Sequence, residues 1–303
     1  MELHDRPCPL CRTAGAAHTM FPAKVDIAGL DAYAFASRKT PEYMHYRLLR
    51  CDTCDTLFAS PAPSPETLAR EYDRAAYDSD VEANFAAETY AGYLRKHILP
   101  VLAHRRGALD IGTGNGAFLG HLLELGFSEV GGVEPSAAPI AVASPNVRPL
   151  IRHSMFRAAD FEPSSFSLVS CFQTIEHVSD PLALAKEAFE LLRPGGALFL
   201  VSHNYRSLHT KVLGERSPMF DVEHLQLFSV GSLRQLLTKA GFVDVDVAPL
   251  ANRYPLHYWL RLLPLPARPR RAFDDVLVRL RLSGLPISLR AGNLATFGMK
   301  PRA

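Results

Sequence analysis

Short apolar runs alternate with amphipathic stretches from Gly107 to the end of the chain. Runs rich in Val, Ile, Leu and Phe predict buried strands, and the longer stretches between them predict covering helices. Such alternation is typical of an α/β protein with a mostly parallel sheet. The predicted strands are Ala108–Ile111, Val130–Val133, Arg148–Ile151, Ser167–Phe172, Ala197–Ser202, Val243–Ala248 and Asn293–Met299, and the predicted helices are 117–125, 136–143, 181–192 and 230–240.

The first 106 residues follow a different pattern. Two cysteine pairs and few helix signals precede Pro61, and Tyr43–Leu49 predicts a strand. Ser64-Pro65-Glu66 combines a capping hydroxyl with a proline at the first helical position, which predicts a helix start. Apolar and aromatic positions spaced by four predict a second helix over Phe85–Ala103. The predicted units are a cysteine module (1–62), a helical segment (63–106) and the α/β domain (107–303), which contains an insert (252–292).

Composition adds a charge asymmetry to this picture. The hydrophobic fraction of 48% and the charged fraction of 21% are typical of a soluble globular protein, and the net charge is +2. Ten Lys/Arg against two Asp give Leu250–Ala303 a charge of +8, which leaves −6 for the rest. This predicts either an anionic partner or a solvated basic face. Because no apolar run suggests a signal peptide or a membrane span, we expect a cytoplasmic protein.

The four N-terminal cysteines form two Cys-x-x-Cys knuckles. Cys8 and Cys11 are separated by 39 residues from Cys51 and Cys54. In a reducing compartment such pairs favour metal over disulfides, and four thiolates suit a structural, tetrahedral zinc ion. The spacing implies an inserted loop over about 20–40. Redox pairs or free thiols are the alternative, and Cys171 is expected in the core.

A glycine-rich turn carries the strongest chemical signal. The first predicted strand of the domain carries Asp110 near its end and runs into Gly112-Thr113-Gly114-Asn115-Gly116. Glycine is needed where a backbone turns tightly and lets a ligand approach, and the helix behind offers free N–H groups. The second strand ends at Glu134, well placed to accept ribose hydroxyls. The Gly-x-Gly-x-Gly spacing differs from the dinucleotide pattern, Gly-x-Gly-x-x-Gly.

These residues resemble the cofactor motif of class I S-adenosylmethionine-dependent methyltransferases. The resemblance continues through Ile175-Glu176-His177, Leu191-Leu192-Arg193-Pro194-Gly195-Gly196 and Glu223-His224-Leu225, and it covers about 107–250. It implies a doubly wound, Rossmann-like sheet of seven mostly parallel strands with an antiparallel last strand. It also implies that S-adenosylmethionine is held by the loop Gly112–Gly116, by Glu134 at the ribose and by Met155 and Phe156 at the adenine. The full predicted cofactor set is Asp110, Gly112, Thr113, Gly114, Gly116, Glu134, Met155, Phe156 and Gln173.

The same resemblance places the acceptor beside the ends of the fourth and fifth strands. A histidine titrates near neutrality and can accept a hydroxyl proton, so His224 and then His177 are the predicted catalytic bases. The alternative is that His177 only orients its loop. The chain also resembles quinone-biosynthesis O-methyltransferases, in which acids and this histidine can hold a divalent cation. Because Gln173 stands where an acidic ligand would be expected, we do not expect a catalytic metal.

The whole layout resembles zinc-bearing methyltransferases of sugar, polysaccharide and natural-product pathways. In that group the segment after the second knuckle, here with Tyr72 and Tyr77, forms a lid. We therefore predict O-methylation of a small-molecule acceptor, a sugar or secondary metabolite in natural product biosynthesis. RNA methylation is an alternative that the basic segment after 250 supports, although no Asn/Asp-Pro-Pro-aromatic motif follows the fourth strand. A non-catalytic cofactor-binding scaffold is the other alternative.

The insert 252–292 is apolar and aromatic over Tyr254–Leu263 and has basic flanks. Three interpretations are open: it docks a lipid-linked or nucleotide-linked substrate, it forms a dimer contact, or it packs against its own domain. In the first case, the phosphate of the acceptor would face Arg268, Arg270 and Arg271. The sequence does not determine the oligomeric state.

Overall fold

The computed structural model describes residues 2–13, 15–36 and 40–302. Part of the loop expected over about 20–40 therefore lies outside the described residues. The N-terminal region forms short strands, and of the strand predicted at Tyr43–Leu49 only the last two residues are in a strand. Tyr43 has a left-handed backbone (φ 55°), which interrupts an extended run. The strands are β1 (Leu3–His4), β2 (Ala17–Phe21), β3 (Leu48–Cys51), β4 (Leu57–Ala59) and β5 (Ala62–Pro63).

Two helices follow the N-terminal strands. Helix α1 (Pro65–Asp73) begins where predicted, because the Ser64 side chain accepts a hydrogen bond from the Thr67 N–H. Helix α2 (Asp80–Tyr93) begins before the predicted Phe85, with two acids in its first turn. It then widens into a π-helical turn, Leu94–Ile98, rather than continuing to Ala103.

A seven-stranded sheet forms the centre of the remaining chain, and it confirms the expected α/β class. Its strand order is β12-β13-β10-β9-β6-β7-β8, and β13 alone is antiparallel to its neighbours. The elements in chain order are β6 (Ala108–Ile111), α3 (Ala117–Glu124), β7 (Val130–Glu134), α4 (Ala137–Val142), β8 (Ile151–His153), β9 (Phe166–Phe172), α5 (Pro181–Leu191), β10 (Leu192–His203), α6 (Leu208–Leu213), β11 (Gln226–Leu227), α7 (Val230–Lys239), β12 (Val243–Pro255), α8 (Leu256–Arg261), α9 (Ala267–Arg279) and β13 (Pro286–Met299).

Three strands differ in extent from the prediction. Residues 148–150 form a 3-10 turn, because Pro149 cannot donate to a sheet, and β8 begins at Ile151. Strands β12 and β13 are longer than predicted and pair as far as Pro255 and Pro286. The insert is therefore a hairpin arm that carries α8 and α9 at its end.

The aromatic start of the insert packs against its own domain. Tyr254, Tyr258 and Trp259 are buried in the cluster that also contains Tyr90 of α2 and Phe172 of β9. The Trp259 indole N–H donates to the Ile287 carbonyl at 3.0 Å. This outcome agrees with the packing interpretation of Tyr254–Leu263. Within the described residues, no helix combines the length and the apolar character that a membrane crossing requires.

The cysteine module is joined to the sheet by two kinds of contact. Strand β11 from the α/β domain pairs antiparallel with β4, which completes a four-stranded sheet, β11-β4-β3-β2. Cys8 and Phe58 of the module also share one hydrophobic cluster with Val169 of β9 and Phe228. The module thus packs on the sheet face beside the loops that follow β9 and β10.

Candidate active site

The glycine turn has the backbone that its sequence predicts. Gly112, Gly114 and Gly116 all adopt left-handed φ angles, 73°, 59° and 73°. A Cβ on Gly112 would lie 2.3 Å from the Thr174 hydroxyl, so this position has no room for a side chain. A Cβ on Gly114 would have no protein atom within 4 Å. The loop is therefore packed closely at its start and leaves open space at its middle glycine.

Two buried carboxylates flank this turn. Glu134, at the end of β7, accepts hydrogen bonds from the N–H groups of Gly114 at 2.8 Å and Ser136 at 2.9 Å. Burial raises the pKa of Glu134, although these two N–H groups oppose the shift. Asp110, at the end of β6, accepts a hydrogen bond of 2.6 Å from the Ser170 hydroxyl. The sheet thus presents carboxylates on both sides of the glycine loop.

A cavity of about 360 Å³ opens over these residues, a volume in the range of small-molecule sites. Eight of the nine residues of the predicted cofactor set line it, and the ninth, Gly116, lies at the start of α3 beside it. The Thr113 hydroxyl is buried there without a protein hydrogen-bond partner, so it would accept or donate to a ligand. Gln173 follows β9 with a left-handed φ of 48°. These features suit a ligand with a nucleoside and further polar groups.

The helical segment covers the other side of the cavity. Tyr72 of α1, Tyr77, and Ala83 and Tyr90 of α2 line it, together with Phe35 of the cysteine module. The Asn115 amide in the glycine loop donates to the Asp80 carboxylate at 2.5 Å, which fixes the start of α2 on the loop. The sequence pattern gives no sign of this role of Asn115, because only the folded chain brings Asp80 to it.

The two predicted bases are neighbours with different exposure to the cavity. His177 lines it, and its Nδ1 is hydrogen-bonded to the Tyr72 hydroxyl at 2.9 Å. His224 is buried behind it, with ring centres 5.0 Å apart, and is not among the described residues that line the cavity. Burial raises the pKa of the Tyr72 phenol well above 10, and the nearby Glu223 carboxylate adds to this effect. Tyr72 therefore stays protonated near neutral pH.

A third histidine extends the pair inward. His203, at the end of β10, has its ring centre 5.0 Å from that of His224. Its Nδ1 lies 3.1 Å from the carboxylate of Glu176, which is fully buried and also accepts the His203 N–H at 2.6 Å. The row His177–His224–His203 therefore leads from the cavity to a buried acid, an arrangement that can hold or move a proton.

Arg6 holds the loops that carry His177 and His224, and nothing in the sequence pattern indicates this role. The Arg6 guanidinium donates to the carbonyls of Ala59 at 2.9 Å, Ser179 at 3.1 Å and Leu225 at 2.5 Å. It also donates to the Gln226 side chain at 3.0 Å. Burial lowers the pKa of Arg6 to about 10, so it stays charged near neutral pH.

Gln226 adds hydrogen bonds to the loop that carries His177. Its amide group donates to the carbonyls of Ile175 and Val178, both at 2.8 Å. These two residues enclose His177 in sequence, and Leu225 follows His224. Arg6 and Gln226 therefore join the cysteine module to both loops that bear the predicted bases.

The four cysteines of the module come together as the spacing predicts. Their Sγ atoms all lie within 4.8 Å of one another, and the Cys8–Cys54 and Cys11–Cys51 pairs are 3.4 Å apart. Tetrahedral zinc with bonds of about 2.3 Å places sulfurs about 3.8 Å apart, so the donor set fits this ion.

The residue after each knuckle has a backbone conformation that favours glycine. Arg12 and Asp55 adopt left-handed φ angles of 60° and 57°. Their N–H groups donate to the carbonyls of Cys8 and Cys51, both at 3.0 Å, so the two knuckles have matching geometry. The fifth cysteine, Cys171, is fully buried in the sheet, as expected.

Comparisons with known proteins agree with this geometry. A family model described as a methyltransferase domain matches residues 83–247, a little over half of the chain, and so includes most of α2. The chain is 30% identical over 129 residues to the ubiquinone biosynthesis O-methyltransferase of Idiomarina loihiensis, covering 41% of this chain and 51% of that protein. It is 30% identical over 161 residues to the enzyme of the same name from Albidiferax ferrireducens, covering 49% and 61%.

The matched stretch thus spans about half to three-fifths of these relatives' own length. Among solved structures, the YcgJ protein of Bacillus subtilis superposes with a TM-score of 0.50 at 19% identity, covering 70% of this chain and 98% of that one. A similarity at that level of identity concerns the fold alone.

Proposed function

Because this chain belongs to the class I S-adenosylmethionine-dependent methyltransferases, we propose that it methylates a hydroxyl group of a small molecule. S-adenosylmethionine supplies an electrophilic methyl group on a sulfonium. The chain's own residues must hold this cofactor, align the acceptor and remove its proton. The observation that carries the proposal is the continuous cavity from the glycine loop to His177.

The cofactor would lie along the glycine loop. The open side of Gly114 admits the methionyl portion, and the Thr113 hydroxyl offers the hydrogen bond that it lacks within the protein. Glu134 would accept the ribose hydroxyls, since each of its oxygens has capacity beyond the N–H that it already binds. Met155 and Phe156 would flank the adenine, and Asp110 and Gln173 complete the set.

The base would be the His177–His224 pair. His177 is the member within direct reach of the cavity, and His224 stands behind it. For His177 to accept a proton, its Nδ1–H must donate to the Tyr72 oxygen, so that the other ring nitrogen is free of hydrogen. The Tyr72 phenol, although protonated, can accept this hydrogen bond through its oxygen.

A sugar or secondary metabolite suits the covered site better than RNA. The acceptor end lies beneath α1 and α2, where Phe35, Leu68 and Tyr72 form an apolar and aromatic wall. A folded RNA would need that wall displaced, whereas a ring-shaped small molecule would stack on it. The relatives named as O-methyltransferases support oxygen as the methylated atom.

We also propose that Cys8, Cys11, Cys51 and Cys54 bind one structural zinc ion. All four positions of a tetrahedron are then filled by thiolates, which leaves no site for a substrate. In this proposal residues 1–62 are the zinc module, 63–106 form the lid and 107–303 carry the cofactor site. The insert 252–292 is peripheral to the chemistry.

Isothermal titration with S-adenosylmethionine and S-adenosylhomocysteine tests the cofactor assignment. We expect micromolar binding that Asp110→Ala weakens at least tenfold, because a buried carboxylate at the cavity is lost. Asp275→Ala, an exposed acid in the insert, is the matched control and should bind normally. If the wild-type protein binds neither ligand, the cofactor assignment is wrong.

The base is tested separately with His177→Gln and His224→Gln. Both should bind S-adenosylhomocysteine as the wild type does and lose methyl transfer by about 10²- to 10⁴-fold, the usual contribution of a general base. Exposed His104→Gln is the control. Full turnover of a variant from pH 6 to 9 would remove that histidine from the chemistry.

A further inference from the structure

The outer part of the insert has a surface with many exposed apolar side chains. Between Leu263 and Arg290 it exposes a set of large apolar side chains, and Leu280 is 61% and Phe273 55% accessible. Clustered exposure of this kind marks an interaction surface more often than scattered single residues do. The set is Leu263, Phe273, Val276, Val278, Leu280, Leu282, Leu285 and Leu289.

The charge of the same segment is strongly positive. Six arginines stand against Asp274 and Asp275, with no lysine or glutamate. In the part of the chain that the structure describes, these six form no ion pair, whereas Arg253 and Arg261 nearer the core each do. The six are Arg268, Arg270, Arg271, Arg279, Arg281 and Arg290.

Helix α9 arranges these two features side by side. At about 100° per residue, Phe273, Val276 and Leu280 fall within an arc of about 60°. Arg270 and Arg279 lie about 60° to either side of that arc, and both aspartates lie about 100° or more from its nearer edge. An apolar stripe flanked by arginines is the pattern of a helix that lies in a bilayer interface.

We infer that this face of the insert binds an anionic membrane surface. A second copy of the chain is disfavoured, because two faces that each carry a net positive charge would repel one another. A nucleic acid would use the arginines but has no need of Phe273, Val276 and Leu280. Anionic lipid uses both features, since the stripe enters the acyl boundary and the arginines contact headgroups.

The position of the insert relates this surface to the cavity. The arm rests on α2, where Arg253 pairs with Glu88 at 3.2 Å and His257 Nε2 lies 3.5 Å from Glu82. The opposite side of α2 lines the cavity through Ala83 and Tyr90. A protein held by α9 would therefore keep the helix that covers its cavity close to the bilayer.

Sedimentation with phospholipid vesicles tests this inference on the full chain. We expect binding to vesicles of phosphatidylcholine with phosphatidylglycerol, and much weaker binding to phosphatidylcholine alone. Each arginine near such a surface contributes about fivefold, so changing Arg268, Arg270 and Arg279 to Gln should weaken binding about a hundredfold. Phe273→Asp should weaken it at least tenfold, whereas Val142→Asp, an equally exposed position on α4, should not.

Changing Arg95, Lys96 and Lys239 to Gln is the charge control, since these exposed residues lie outside the insert. Cofactor binding by every variant shows that the fold is retained, and no methyl transfer is needed for the readout. Equal binding to both vesicle types, or no binding, would overturn the inference. So would a dimer that Phe273→Asp abolishes, or RNA binding that the arginine changes abolish and Phe273→Asp does not.

Discussion

The cysteine module and the insert are both additions to the same sheet, yet they are attached in opposite ways. In the module, Cys8, Leu10 and Cys51 are each 1% accessible, and a strand of the α/β domain completes its sheet. In the insert, only the aromatic start (Tyr254, Tyr258 and Trp259) packs in the core, and most of α9 is exposed. One addition is part of the core, and the other projects from it.

This difference bears on what each addition can do. Arg6 in the module contacts the loops of both predicted bases, so a change in the module would move the site. The insert reaches the helix that covers the cavity through buried aromatic side chains and the Arg253–Glu88 and His257–Glu82 pairs, and none of its described residues lines the cavity. The module is therefore suited to holding the site in place, and the insert is suited to meeting a partner.

Loss of one of the four clustered cysteines should have the largest effect on stability. Cys51→Ser removes one thiolate of the four, so we expect zinc content to fall from about one equivalent to near zero and the melting temperature to fall by about 10 °C or more. Cys171→Ala, which changes the cysteine outside the cluster, should keep its zinc. Metal analysis and thermal unfolding measure both. An unaltered melting temperature in zinc-free Cys51→Ser would mean that the module is not held by metal.

Replacing a phenylalanine by alanine should lower the free energy of unfolding several times more in the cysteine module than in the insert. Phe58 is 2% accessible in the module and Phe273 is 55% accessible in the insert. Phe58→Ala should lower the free energy of unfolding by about 3–5 kcal/mol, because it leaves a cavity in the core. Phe273→Ala should change it by about 0.5 kcal/mol or less. Urea unfolding compares them, and similar costs would contradict the contrast between the two regions.

The sheet and the glycine turn could be predicted because their causes are local. Apolar runs set the strands, and the φ angles of Gly112, Gly114 and Gly116 follow from the missing Cβ. Eight of the nine residues of the predicted cofactor set gather in one cavity, since they follow the ends of neighbouring parallel strands.

Long-range contacts could not be predicted in this way. Arg6 and Leu225 are 219 positions apart, and nothing in the local pattern of either residue indicates the other. The order of the two histidines relative to the cavity also depends on the ring positions of the folded chain. The extent of β12 and β13 was underestimated because the strand pattern ends before the pairing does.

Arg6→Gln should have an intermediate effect that reaches the site. A charged donor with several carbonyl partners contributes about 1.5–3 kcal/mol, so we expect a loss of about 2 kcal/mol in the free energy of unfolding. Because the loops of His177 and His224 lose their common anchor, kcat should fall at least tenfold while cofactor affinity stays within about twofold. Arg6→Lys, which keeps the charge and one donor direction, should restore part of kcat. A variant that lost stability but kept kcat would limit Arg6 to a structural role.

Arg253→Gln in the insert corresponds to Arg6→Gln in the cysteine module, and it should have the smallest effect on stability and activity. Its guanidinium pairs with Glu88 of α2 at 3.2 Å, but both side chains are largely exposed, at 43% and 58%. Solvent screens such a pair, so its loss should cost about 0–1 kcal/mol, and neither kcat nor cofactor affinity should change. Urea unfolding at low and high salt measures this, since a surface pair weakens as ionic strength rises. If Arg253→Gln instead matched Arg6→Gln in its loss of kcat, the insert would be coupled to the site as tightly as the cysteine module.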